Sequence, residues 1–388
     1  MTYTPSAIAP VVNGTVIDVA SGNPTKEQDT VESSTAARSH PLEIIDVIEE
    51  TSDAVSLVFA HPTERRLEHT PGQFLTLRVP GAPGHGARWA PRCYSLSSTP
   101  GLDDHLKVTV KRTTGGYASN WLCDNAKQGM ILESLAPGGR FTVRDDPDRL
   151  VLAAAGSGIT PVMSILRDAL AASTTPVTLV YANRDRSSII FAAALAELQE
   201  SHGDRLTVTH WLESERGIPT AAGLTALLPE PTVATSAYLC GPAGFMDAAA
   251  EAAALAGVDG ARIHREAFSS LTGDPFAVDT GAAAAPPAAP VGGASSDGAA
   301  TVVVELNGAT TTVAWPREQV LLDTLLDRGL DAPYVCREGN CGGCAFTLRR
   351  GEVHMLVNDT LDDHELGNGI RLACQSLPLA DELEVEFD

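Results

Sequence analysis

The chain has 388 residues, 44% of them hydrophobic and 20% charged, and its 27 basic and 49 acidic side chains give a formal net charge of −22. That length allows two or three domains, each with its own core. No apolar run approaches the roughly 20 residues of a membrane helix, and a charge of this sign repels phosphate backbones and anionic lipid. A membrane span, a nucleic-acid partner and a membrane-surface partner are therefore excluded, and a protein partner is expected to offer a basic patch. The first basic residue is Lys26, so the start lacks the pattern of a secretory leader, and a cytoplasmic location is expected.

Residues 1–40 are rich in Thr, Ser, Ala, Asn and Pro without a helix or strand period, which predicts a disordered tail. From 41 to 147, runs of β-formers (54–60, 73–79, 106–111) separated by Pro- and Gly-bearing turns predict a small antiparallel β-barrel. Within it, Arg92-Cys93-Tyr94-Ser95 falls on a strand, which puts Arg92 and Tyr94 on one face and Cys93 and Ser95 on the other. A second strand carries Val108, Val110 and Lys111 and leads into Gly115-Gly116-Tyr117-Ala118-Ser119, a glycine turn opening a helix capped by Ser119 or a neighbour. Such a helix N-terminus with small residues suits a diphosphate.

Residues 148–271 alternate apolar strands (150–155, 177–182, 206–211, 237–240) with Ala- and Leu-rich helical stretches, which predicts a parallel sheet with crossover helices. After the first strand, Gly156-Ser157-Gly158-Ile159-Thr160-Pro161 provides a tight turn, close backbone approach and helix amides able to hold a pyrophosphate. Tyr238-Leu239-Cys240-Gly241-Pro242 repeats the strand-to-helix turn about 80 residues later. Next, 272–300 is an Ala/Pro/Gly/Ser run expected to be a linker. Residues 301–388 resume with a hairpin (302–306, 310–315) and a helix near 319–328, and hold six basic against sixteen acidic side chains.

In this last segment Cys336, Cys341 and Cys344 are separated by four and then two residues, and Cys374 follows after 29 more. Four soft thiolates at this spacing fit a [2Fe-2S] cluster, and Gly339, Gly342 and Gly343 give the backbone freedom to wrap it. A zinc site with four cysteine ligands, or disulfides, are the alternatives, but zinc ribbons prefer two C-x2-C pairs and disulfides suit exported chains. Cys93 and Cys123 are expected to act as small core hydrophobes.

Taken together, the Arg-x-Tyr-Ser strand, the Gly-x-Gly-Ile-Thr-Pro and Cys-Gly-Pro turns and the cysteine loop resemble the ferredoxin–NADP⁺ reductase superfamily with a C-terminal plant-type ferredoxin domain. The resemblance implies three domains: an antiparallel β-barrel for FAD, a parallel α/β sheet for NADH and an α+β β-grasp domain for the [2Fe-2S] cluster. It implies that Arg92 pairs with the flavin diphosphate, with Gly116, Ala118 and Ser119 cradling it, while Tyr94 packs on the ring and Ser95 lies near the atom that receives hydride. It likewise places Gly156, Gly158 and Thr160 at the NADH pyrophosphate and Cys240, Gly241 and Pro242 beside the nicotinamide. Glu266 and Phe268 then belong near the flavin. Arg184 and Arg186 then lie at the adenosine ribose, where they offer partners to a 2′-phosphate while Asp185 repels it, and NADH is expected over NADPH. Asn340 departs from the Ser common in such cluster loops.

Domain order and strings such as Gly116-Tyr117-Ala118-Ser119-Asn120-Trp121-Leu122 and Cys374-Gln375-Ser376 are similar to those of the reductase components of 3-ketosteroid 9α-hydroxylases. That likeness implies an NADH:acceptor oxidoreductase whose partner is a terminal, Rieske-type oxygenase. Reductases of acyl-CoA desaturases or aromatic-CoA epoxidases share the cofactors, and a non-catalytic carrier or zinc-organised scaffold is the contrasting reading.

Overall fold

In the computed structural model, residues 39–63, 66–82, 88–143, 146–271, 273–276, 298–361 and 363–387 are described. The expected tail as far as residue 38, and residues 272 and 277–297 of the expected linker, lie outside the described residues.

Six strands, β1 (Ser39–Thr51), β2 (Ala54–Phe59), β3 (Phe74–Pro80), β4 (Trp89–Ser95), β5 (Leu106–Lys111) and β6 (Ile131–Leu135), form an antiparallel sheet in the order β4-β3-β6-β1-β2-β5. A bridge between Leu96 and Val108 joins its two ends into a barrel. Strand alternation sends Leu42, Ile44, Leu57, Leu75, Leu77, Val108 and Val110 inward, and helix α1 (Tyr117–Asn125) adds Ala118 and Leu122 to the same core. Because β1 opens at Ser39, the last two residues of the expected tail pair with β6 (Ser39 with Leu135, His40 with Ser134).

The second unit comprises β7 (Arg149–Ala155), α2 (Ile159–Ala172), β8 (Val177–Asn183), α3 (Ala192–Ser201), β9 (Leu206–Leu212), the short helices α4 (Glu213–Arg216) and α5 (Ala221–Thr225), β10 (Thr235–Cys240), α6 (Ala243–Ala256) and β11 (Ile263–Glu266). Its strands are all parallel, in the order β11-β10-β7-β8-β9. Helices cover both faces, so β8 and β10 are buried along their whole length, which is why they read as unbroken apolar runs. The chain proceeds from β7 outward to β8 and β9, then returns to place β10 on the other side of β7. The loops after β7 and β10 therefore flank the switch point where open α/β sheets bind ligands.

The third unit has β12 (Ala300–Leu306), β13 (Ala309–Trp315), α7 (Leu321–Asp327), β14 (Ala345–Arg350), β15 (Val353–Met355), α8 (Asp363–Gly367), β16 (Ile370–Leu372), β17 (Ser376–Pro378) and β18 (Glu382–Glu386). Its mixed sheet runs β13-β12-β18-β14-β16, with β12 and β18 parallel, around a core holding Trp315, Leu321, Leu325 and Phe346. Among the described residues no helix is long and apolar enough to cross a membrane.

Candidate functional site

Cys336, Cys341 and Cys344 lie in the loop between α7 and β14, and Cys374 lies in the turn after β16. Arg337, Gly339 and Gly342 take φ of 62°, 81° and 68°, so the loop winds through left-handed positions on either side of Cys341. Thiol contacts run from Cys341 to Cys336, Cys336 to Cys374 and Cys374 to Cys344. Backbone amides point at the sulfurs: Glu338 N–H donates to Cys336 Sγ (3.3 Å), Gly343 N–H to Cys341 Sγ (3.3 Å) and Cys374 N–H to Cys344 Sγ (3.5 Å). Hydrogen bonds from Cys341 and Cys374 hold the Cys336 thiol far below its usual range. Four converging sulfurs with amide donors are the donor set a [2Fe-2S] cluster requires. Asn340, oriented by its hydrogen-bond network, donates to Glu338 O (3.1 Å) and to Asp359 Oδ2 (3.0 Å), tying the loop to the segment after β15.

This loop is seated on the barrel. Phe74 and Leu135 pack with Val335, joined by Cys93, Phe276 and Cys341, in an apolar seam between the two domains. The approach is so close that a Cβ on Gly138 would lie 2.2 Å from Val335 Cγ2, and one on Gly342 would lie 2.4 Å from Arg140 Cδ. Around the seam, Arg140 pairs with Glu365 (3.0 Å) and Arg78 with Asp274 (2.9 Å), and Gly273 N–H donates to Glu338 (2.6 Å). Residues 273–276, expected to belong to a linker, are thus packed against both domains. Cys93 lies in this seam rather than deep in the barrel, and burial pushes its thiol up to about 12.

Farther along the same strand the structure brings together three of the expected residues. Cys240 is in register with Glu266 on the neighbouring strand, and Ser95 Oγ donates to Glu266 Oε2 at 3.5 Å. Burial raises the Glu266 carboxyl to about 8, against the lowering pull of Ser95, and burial likewise drives the Cys240 thiol well above its usual range. Tyr94 packs on the barrel core, where burial raises its phenol. Arg92, half-buried, donates to the carbonyl of Pro91 (2.7 Å). Phe268 is 53% exposed.

Between barrel and parallel sheet lies a cleft of about 600 Å³, lined by Lys111, Arg112, Thr113, Gly115 and Asn120 from one side and by Gly156, Asn183, Arg184, Glu213 and Pro242 from the other, with Asp53 at its edge. Helices α1, α2 and α6 begin without any side-chain cap, so no side chain covers the amides of their first turns. Gly158 is needed for contact: a Cβ there would lie 2.1 Å from the carbonyl oxygen of Cys240, so the loops after β7 and β10 touch. Thr160 Oγ1 donates to Ser157 O (3.0 Å).

Several expectations need correcting. Ser119 does not cap α1; it sits inside the helix and its hydroxyl accepts from Thr113 N–H (3.1 Å), while Gly116 occupies the cap position. Ala118, Val108 and Val110 are buried in the barrel core and send no side chain to the cleft, because alternation along β5 leaves only Lys111 facing it. Asp185 accepts from Ser188 N–H (3.0 Å) and Ser187 Oγ (2.7 Å), capping its own turn.

Sequence reasoning missed Asp53 and Gly138. Asn183 is only 4% exposed and lines the cleft beside the Tyr181 hydroxyl, which interacts with its side-chain amide and donates to Gly156 O (2.9 Å).

Three family models match: oxidoreductase FAD-binding domain over residues 41–143, oxidoreductase NAD-binding domain over 152–251, and 2Fe-2S iron-sulfur cluster binding domain over 304–379. The chain is 52% identical over 353 residues to the ferredoxin reductase component of 3-ketosteroid-9-alpha-monooxygenase from Mycolicibacterium smegmatis, covering 89% of this chain and 96% of that one. It is 32% identical over 377 residues to one of the subunits of the 1,2-phenylacetyl-CoA epoxidase of Escherichia coli, covering 90% and 98%. The structure of phthalate dioxygenase reductase superposes with a TM-score of 0.53 at 23% identity, over 90% of this chain and 98% of that one, and shares the fold.

Proposed function

Because the chain belongs to the family of FAD-, NAD- and [2Fe-2S]-binding oxidoreductases that includes the ferredoxin reductase components of 3-ketosteroid-9-alpha-monooxygenase, we propose that it passes electrons from NADH to the terminal, Rieske-type oxygenase of such a system. When bound, NADH supplies hydride, FAD turns two-electron delivery into single-electron steps, and the cluster relays electrons outward. The observation that carries this reading is the seam, in which the cluster-ligand Cys341 and the flavin-strand Cys93 share one apolar contact.

The protein's own task is positioning. Arg92, Lys111 and the first-turn amides at Gly116, Ala118 and Ser119 hold the flavin diphosphate, and Tyr94 supports the ring. Gly156, Gly158 and Thr160 form the pyrophosphate turn for NADH, with Arg184 toward the ribose. Cys240, Gly241 and Pro242 shape the nicotinamide end, where Phe268, exposed in the chain alone, covers the ring. At neutral pH Glu266 keeps its proton, so with Ser95 it presents a neutral pair rather than a fixed anion to the transfer site. Cys336, Cys341, Cys344 and Cys374 hold the cluster.

Residues 301–388 carry a net charge of −10 and no lysine, which suits an acceptor surface rimmed by basic residues. Val357, 42% exposed, lies beside Gly339 of the cluster loop, and with its chain neighbour Leu356, 36% exposed, gives that surface an apolar centre. Identity of 52% with the steroid-system reductase against 32% with the epoxidase component supports the steroid oxygenase as acceptor. Mixing the purified holoprotein with the terminal oxygenase of a 3-ketosteroid 9α-monooxygenase, NADH and the steroid tests this: 9α-hydroxylation is expected. Its absence, while NADH still reduces a dye through the flavin, would overturn the choice of acceptor.

A further inference from the structure

Each of the three cations lining the cleft, Lys111, Arg112 and Arg184, already has a carboxylate. Arg112 pairs with Asp124 (2.7 Å) on the barrel itself. The other two meet at a single group: Asp53 Oδ2 lies 2.8 Å from Arg184 Nη2 and 3.9 Å from Lys111 Nζ. Asp53 occupies the two-residue turn between β1 and β2, so its pair with Arg184 at the end of β8 crosses from the barrel to the nucleotide sheet.

The carboxylate is the fixed end of this pair. Thr51 Oγ1 donates to Asp53 Oδ1 (2.8 Å), the Asp53 amide donates back to Thr51 Oγ1 (3.3 Å), and the Asp53 carbonyl accepts from Arg112 N–H (2.8 Å). With Oδ1 held by Thr51, Oδ2 is aimed across the cleft. Arg184 is the adaptable end, its side chain 63% exposed against 23% for Asp53.

At the end of the second strand of a nucleotide-binding sheet, a carboxylate accepts the ribose 2′-hydroxyl of NADH, whereas an arginine accommodates the 2′-phosphate of NADPH. Asp185, the carboxylate that sequence places there, is spent on Ser187 and Ser188, and Arg186 faces Glu215 at 3.7 Å. The acidic partner of Arg184 comes instead from the other domain.

We infer that Asp53 is a specificity-determining residue for the coenzyme: by holding Arg184 it denies a 2′-phosphate its cation, so the cleft favours NADH. This rests on the reading of the cleft as the nicotinamide-dinucleotide site. A 2′-phosphate must either displace Asp53 from Arg184 or lie beside an uncompensated carboxylate, and both oppose NADPH without touching NADH.

The test is binding as well as turnover, with the full FAD- and cluster-loaded chain. Calorimetric titration of 2′,5′-ADP and of 5′-AMP isolates the phosphate that distinguishes the coenzymes. Asp53→Asn keeps the shape and the link to Thr51 but removes the charge, and is expected to raise the 2′,5′-ADP to 5′-AMP affinity ratio about tenfold, the scale of one charge-assisted contact in a partly exposed site. The NADPH to NADH ratio of kcat/KM should follow, and both gains should vanish in Asp53→Asn/Arg184→Gln. An unchanged affinity ratio in Asp53→Asn, or a gain that survives loss of Arg184, overturns the inference. Failure of the underlying reading appears separately, as wild-type protein that binds neither 5′-AMP nor NADH.

Discussion

Where the barrel meets the nucleotide sheet, the boundary is an open cleft of about 600 Å³ set with Asp53, Lys111, Arg184 and Glu213; where it meets the cluster loop, Phe74, Leu135 and Val335 close on Cys93 and Cys341. In the proposed function the first boundary admits and releases a dinucleotide at each turnover, and its charges pair with one another or with a ligand at small cost. In the same proposal the second keeps two redox sites at one distance. It uses close-packed apolar contact, where a side chain displaced by a methyl group is felt, and glycine notches at 138 and 342. Exchange is built from polar, reorganisable contacts and fixed transfer from packing.

The comparison breaks most completely if the cluster is disabled. Cys341→Ser should lower reduction of the oxygenase by roughly a hundredfold or more, since a first ligand is lost, while NADH-driven reduction of a flavin-accepting dye persists. Parallel loss of both activities would mean that the two boundaries are not separable. Gly138→Val acts on the seam alone, because its side chain has to displace Val335. Flavin-to-cluster transfer, followed by stopped-flow, should slow by about tenfold from the loss of positioning, with dye reduction retained. A variant that transfers at the wild-type rate would show that the seam does not set the distance.

These two variants also show where sequence stops. The cysteine loop, the Arg-x-Tyr-Ser strand and the turns at Gly156 and Gly241 are legible as local structure because each is one short stretch of chain, whose residue types record its backbone. Gly138 against Val335 and Asp53 against Arg184 join residues from different domains, the latter 131 positions apart, and no local period encodes such contacts. Val108 and Val110 occupy the core face of β5, the strand that carries Lys111 to the cleft.

A smaller effect concerns Glu266, beside the cleft. Its carboxyl titrates at about 8 in the folded chain against 4.5 ordinarily, so between those values the unfolded chain has lost a proton that the folded chain keeps. Its contribution to stability therefore falls as pH rises through that window and is constant above it. Relative to wild type, the melting temperature of Glu266→Gln should climb from pH 5 to 8 and then level off; a flat difference would contradict the raised carboxyl. Smallest of all is acceptor docking. Raising ionic strength from low to physiological should weaken coupling to the oxygenase a few-fold through screening of the acidic domain, and Val357→Asp should raise the KM for oxygenase with the reduced cluster's EPR spectrum preserved. Indifference to both would move docking elsewhere.

The most direct measurement is an anaerobic titration of the holoprotein with NADH, following flavin absorbance and the EPR signal of the reduced [2Fe-2S] cluster together. If the seam carries the current, flavin bleaching is accompanied by the cluster signal without any added mediator. Flavin that bleaches while the cluster stays oxidised would contradict the account.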